Sequence, residues 1–130
     1  MDPRRKVLLA DGGMGLVLAV YGLALADPSQ LASAWWLPTT AAVVAVAWMY
    51  ASEHLLVGVD ATKQLGAYFL VFVLIIASLA ALVAWTPLTL TPVLRFGFGG
   101  LGAGLVCYRL VYGVVLPVPS ARLAGAERAV

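Results

Sequence analysis

"GAYFLVFVLIIASLAALVAW", from Gly66 to Trp85, carries no charged residue from end to end. A membrane-crossing α-helix needs about 20 consecutive apolar residues, because each adds ~1.5 Å toward a hydrocarbon core ~30 Å thick. The stretch meets that requirement alone, so it reads as a transmembrane helix. The question it raises is whether the rest of the chain is of the same kind.

It is, on both sides. Toward the N-terminus lie Val7 to Ala26, "VLLADGGMGLVLAVYGLALA", and a second run over about 37–59; toward the C-terminus lies a fourth over about 93–116. Turn chemistry separates them. "ADPSQ" places Asp27 before Pro28, a helix cap followed by a proline suited to a first turn. A short interfacial helix carrying Trp35 and Trp36 is expected after it. "GVDATKQ" divides the second and third runs, and "TPLTLTP" divides the third and fourth with Pro87 and Pro92 as breakers. The first run starts basic and ends in Ala24–Leu25–Ala26, as a signal peptide does. It is longer than the ~7–15-residue apolar core of such a peptide and contains Asp11, so it is read as a retained span.

Composition agrees. Of 130 residues, 63% are hydrophobic and 11% charged, with a mean hydropathy of +1.00. A soluble domain of this size keeps too much surface to hide that fraction. The expectation is an all-α protein: one transmembrane domain over 1–130, a four-helix bundle with spans at about 7–26, 37–59, 66–85 and 93–116. Residues 117–130 form a short cytoplasmic tail. The connections are short, so sequential helices are expected to be antiparallel neighbours.

Basic residues set the orientation. Arg4, Arg5 and Lys6 precede the first span, Lys63 lies between the second and third, and Arg122 and Arg128 follow the fourth. The other two loops hold no Lys or Arg. Positive charge stays cytoplasmic, so both ends and the middle loop are expected inside, with Trp35, Trp36 and Trp85 at the outer interface. Arg95 is the exception and is expected to snorkel outward. The net charge of +2 thus reads as topology rather than nucleic-acid binding. The partners expected are the lipid bilayer and either a second copy or other membrane proteins. Arg in excess of Lys and abundant Ala, Val, Leu and Gly point to a prokaryote, and the location to the plasma membrane as a multi-pass protein.

With that topology, "ASEHLLVG" (Ala51 to Gly58) falls at the inner end of the second span. Asp11 then lies about one turn into the first helix, and Arg109 about two turns before the inner end of the fourth. Asp11, Glu53, His54 and Arg109, from three helices, fall at one depth without any pairing being assumed. A charge in a span costs at least about 2.5–3.5 kcal/mol, so Arg109 is expected to pair with Asp11 or Glu53. Two readings stay open: an intramembrane polar or proton site, or a structural ion pair beside a Glu53–His54 pair lying at the wet interface. Asp11 also has Arg5 and Lys6 within reach as partners.

Small residues mark the packing faces. On the fourth helix Gly99 and Gly102 share a stripe with Arg95 and Arg109, while Gly100 and Gly104 lie on the opposite stripe with Gly97 and Tyr108. Gly15 and Gly22 share a face with Asp11 on the first helix, and Ala77, Ala80, Ala81 and Ala84 make a small-residue face on the third. Such residues let helix backbones approach closely. Cys107, the single cysteine, is expected to be buried as a small apolar residue. Tyr50, Tyr108 and Tyr112 are expected in packing or interfacial places.

No Ser-His-Asp pattern, no His-x-x-x-His and no acidic pair at metal spacing is present, and one His with one Cys makes no metal site. Neither enzyme activity, cofactor nor metal is expected. The leading functional expectation is a small non-enzymatic accessory or scaffold subunit. The alternative is a small proton-linked transporter or channel, working as a homodimer through the polar layer.

Overall fold

A computed structural model describes residues 2–128. The chain forms helices α1 (Pro3–Ala24), α2 (Pro28–Ser33), α3 (36–55), α4 (Ala61–Trp85), α5 (Leu90–Val115) and α6 (Ser120–Arg128), with no strand among the described residues. Three of them, α1, α4 and α5, are long and apolar enough to cross a membrane. α3 stands where the second span was expected and is continuous. Polar residues at both its ends, Thr39 and Thr40 at one and Ser52, Glu53 and His54 at the other, dilute its apolar middle.

Local chemistry explains the boundaries. The Asp2 carboxylate accepts the Arg4 N–H at 3.1 Å, with Pro3 opening α1. Asp27 accepts both the N–H and the Oγ–H of Ser29, at 3.1 and 3.0 Å, with Pro28 opening α2. Pro92 does not break a helix. It sits in the first turn of α5, and Pro38 in the first turn of α3, where a missing N–H costs no helical bond. α2 stops at Ser33, before the two tryptophans, and Trp36 opens α3 instead. Gly58, at φ 79°, takes the left-handed conformation that ends the turn after α3.

The centre of the molecule is α5. α1 packs against one side of it and α3 against the other. The expectation that sequential helices pair is therefore corrected: α1 and α3 each turn to α5 rather than to the helix next in sequence. Glycine is the reason. A methyl built on Gly102 falls 2.5 Å from Ala19 N and from Gly15 O of α1, and one on Gly104 falls 2.5 Å from Ala42 O of α3. Gly99 meets Gly22, and Gly100 meets Pro38, just as tightly. A methyl built on Gly15, Gly22, Gly99, Gly100, Gly102 or Gly104 falls within 3 Å of a neighbouring helix, whereas one on Gly97 has nothing within 4 Å. No side chain intervenes at these crossings, so the backbones touch and dispersion is gained along the full crossing.

α4 has no buried residue. Leu79 and Leu82 rest on the core cluster of Ala34, Leu37, Val93 and Phe96 near one end. Tyr68 meets Trp48 edge to face at 5.2 Å near the other. Between these touch points α4 stands off from α3 and α5, leaving an open apolar groove of about 890 Å³ lined by Val44, Trp48, Ile75 and Leu101 among others. Ala81 lines the groove, while Ala77, Ala80 and Ala84 face outward. Trp35 and Trp85 are exposed at the end where the core cluster lies. At the opposite end, the 56–60 loop, α6 and Asp11 surround one cavity.

Candidate functional site

Three helices bring Asp11, Glu53 and Arg109 together at that second end. Arg109 donates from Nε and Nη2 to Asp11 Oδ2, at 2.9 and 2.6 Å. It also donates from Nη1 to Glu53 Oε2 at 3.3 Å and from Nη2 to Glu53 Oε1. Sequence reasoning offered Arg109 one partner or the other; it has both, because a planar guanidinium presents donors on two edges. Arg109 and Glu53 are almost wholly enclosed, with side chains 2% and 5% exposed, and Asp11 is 14% exposed.

Two further residues complete the network. Tyr108, the neighbour of Arg109, donates its hydroxyl to Glu53 Oε2 at 2.9 Å, and its ring lies 5.3 Å beneath the Arg109 guanidinium. Arg122, reaching over from α6, donates from Nη2 to Asp11 Oδ1 at 2.8 Å. Neither was expected in this role. Tyr108 was legible only as a packing residue, since it lies on the α3 stripe of α5 together with Gly104. Arg122 reads in the sequence only as a topology signal in a short cytoplasmic tail. Arg5 and Lys6, offered as partners for Asp11, do not bond it among the described residues; Arg4 instead donates to the Gly113 carbonyl at 2.5 Å.

His54 is not part of this network, which corrects its expected membership. It follows Glu53 directly, and consecutive helical residues point about 100° apart. Its exposed ring stacks on Tyr50 at 4.5 Å and lies 5.2 Å from Tyr112, with Nδ1 3.2 Å from the Tyr50 carbonyl. Tyr112 in turn stacks on Tyr108 at 4.9 Å. Cys107 is exposed, correcting the expectation that it is buried. Arg95 leans on the Tyr21 ring of α1 at 5.6 Å, a cation–π contact rather than a simple outward reach.

The backbone widens where the network sits. The π-turn Leu8–Gly12 holds Asp11, the π-turn Ala51–Leu55 holds Glu53, and the π-turn Leu110–Val115 starts immediately after Arg109. A π-turn adds a residue to one turn and rotates every side chain beyond it. The last of these contains Tyr112 at φ −94°, ψ 56°, outside helical geometry. All three helices thus adjust at one level, and the charged side chains are aimed at one point.

A cavity of about 680 Å³ opens beside the network, and Asp11 and Glu53 line it. Met14, Met49, Tyr68 and Leu105 supply apolar wall, and α6 crosses it with Ala121, Arg122, Ala124, Gly125 and Arg128. No buried side-chain N or O atom lacks a partner, and no group of three potential metal ligands occurs among the described residues. Compared with protein-family models, with curated proteins and with solved structures, the chain matches none. Its function is argued from its own side chains.

Proposed function

We propose that this is a small multi-pass membrane protein acting as a non-enzymatic subunit, packed against itself or other membrane proteins through α4. The observation that carries this reading is the contrast between α4 and the rest. α1, α3 and α5 close on each other through glycines, while α4 is 25 residues long and buries none of them. Its outward Ala77, Ala80 and Ala84 form the kind of surface on which a second helix seats closely. The charged network supports the same reading, since each carboxylate is already matched by cations and by hydrogen bonds.

In this reading α3 is the fourth crossing and the described ends face the cytoplasm of a prokaryotic cell. The support is that Arg4, Lys63, Arg122 and Arg128 belong to the end where the 56–60 loop and α6 meet. Exposed Trp35 and Trp85 at the other end fit an interfacial belt. The test is extraction of the full chain from native membrane in polymer-bounded lipid discs. A reproducible assembly larger than one 13.6-kDa chain, disrupted by Ala80→Trp, is the expected result. A strictly solitary chain in those discs overturns the reading.

One observation favours a second reading, a small proton-linked transporter or channel working as a dimer. Three π-turns and a cavity coincide at Asp11 and Glu53, and π-turns often accompany working sites. Proton flux in liposomes that is unchanged by Asp11→Asn and Glu53→Gln removes this reading.

A further inference from the structure

The network is one positive charge short without α6. Asp11 and Glu53 contribute two negative charges and Arg109 one positive, so the buried set sums to −1. Arg122 supplies the missing charge, and it does so from outside. Its side chain is 46% exposed and it sits on the nine-residue helix Ser120–Arg128, which docks on the start of α1. The two oxygens of Asp11 are divided accordingly. Oδ2 is held from within by Arg109, with a longer 3.4 Å bond from Arg122 Nε, while Oδ1 has its short bond to Arg122 Nη2.

We propose that this cavity is a binding site for a small organic cation, one with a guanidinium or amine head and a compact apolar body, and that Arg122 occupies the place of the head in the closed chain. Each part of that ligand has its counterpart. The head meets Asp11 Oδ1 beside a buried set, Asp11, Glu53 and Arg109, whose charges sum to −1. The body meets Met14, Met49, Tyr68 and Leu105. The volume of about 680 Å³ lies in the ordinary range of small-molecule pockets. The remaining charged group on the wall is Arg128, also on α6. An exposed ion pair is weak, and the Arg122 side chain is 46% exposed, so a ligand head displaces that side chain at small cost while α6 stays in the cavity wall. The inference stands whether or not α4 has a partner.

The experiment uses the full chain in lipid nanodiscs, titrated calorimetrically with benzylguanidinium. Arg122→Ala removes the internal competitor and is expected to tighten binding at least ten-fold over the unaltered protein. Asp11→Asn added to Arg122→Ala is expected to abolish that gain. Ala124→Trp added to Arg122→Ala blocks the cavity without touching a charge, and is expected to abolish it too. Circular dichroism and size-exclusion profiles matching the unaltered protein establish that each variant is folded. Equal affinity for the unaltered protein and Arg122→Ala overturns the proposal, as does tight binding that survives both second changes. Preference of Arg122→Ala for benzylsulfonate over benzylguanidinium overturns it as well, since the cavity then selects anions.

Discussion

Arg109 and Asp11, 98 positions apart, meet through two hydrogen bonds to a single carboxylate oxygen, at 2.9 and 2.6 Å. The contact ties the fifth helix to the first at the depth where both backbones widen. It leaves the other oxygen of Asp11 for a residue outside the bundle. Stability and access are thereby divided between two arginines.

The division predicts unequal effects. Arg109→Leu leaves the buried Glu53 without a cation and Asp11 with Arg122 alone, and removing one partner of a buried ion pair costs about 3–5 kcal/mol. Arg122→Ala breaks a half-exposed pair and is expected to cost about 1 kcal/mol or less. Reversible unfolding in mixed micelles measures both, and equal losses contradict the division. The triple change Asp11→Leu, Glu53→Leu and Arg109→Leu is expected to recover most of the stability lost in Arg109→Leu, because apolar groups of similar volume replace a buried charge set without desolvation cost.

Tyr108→Phe keeps the ring that stacks on Tyr112 and deletes only the hydroxyl bonded to Glu53. A hydrogen bond to a charged group contributes about 1.5–3 kcal/mol, and a loss in that range is expected in the same unfolding assay. No measurable loss means that the hydroxyl is dispensable to Glu53.

The glycines separate by neighbour. Gly104→Ala puts a methyl 2.5 Å from Ala42 O, and the backbones must part. Gly97→Ala meets nothing within 4 Å and should be neutral or slightly stabilising, since Ala exceeds Gly in helix propensity by about 1 kcal/mol. A melting series over Gly97, Gly100 and Gly104 reads this directly. Equal sensitivity at all three speaks against the close crossing of α3 and α5 at Gly100 and Gly104.

His54→Gln is expected to leave the Arg109 network intact, because the ring lies against Tyr50 and Tyr112 and makes no hydrogen bond to Asp11, Glu53 or Arg109 among the described residues. The loss is that of two aromatic contacts, each about 0.5–1.5 kcal/mol. A melting shift as large as that of Arg109→Leu places His54 in the network after all.

Sidedness is open to labelling. In a Cys107→Ser background, Val59→Cys should react with an impermeant maleimide only from the cytoplasmic face, and Thr89→Cys only from the opposite face. Reaction of both from one side excludes α4 as a crossing helix.

Helical class and the presence of helices long and apolar enough to cross a membrane were legible in the sequence because both follow from local properties: uninterrupted apolar length in 66–85 and capping at Asp27–Pro28. The glycine faces were legible too, since helical period places residues on stripes whatever lies opposite. Periodicity also set Asp11, Glu53 and Arg109 at a common depth. Which helix each stripe meets is a property of three-dimensional arrangement, so α5 as hub and α4 as bystander came only with the tertiary structure. So did the roles of Tyr108, Arg122 and His54. Depth along a helix is arithmetic on residue number, whereas direction around it shifts with every π-turn, and three of these stand at the charged level. A side chain's partner across that level is decided by backbone adjustments that leave no mark in residue spacing.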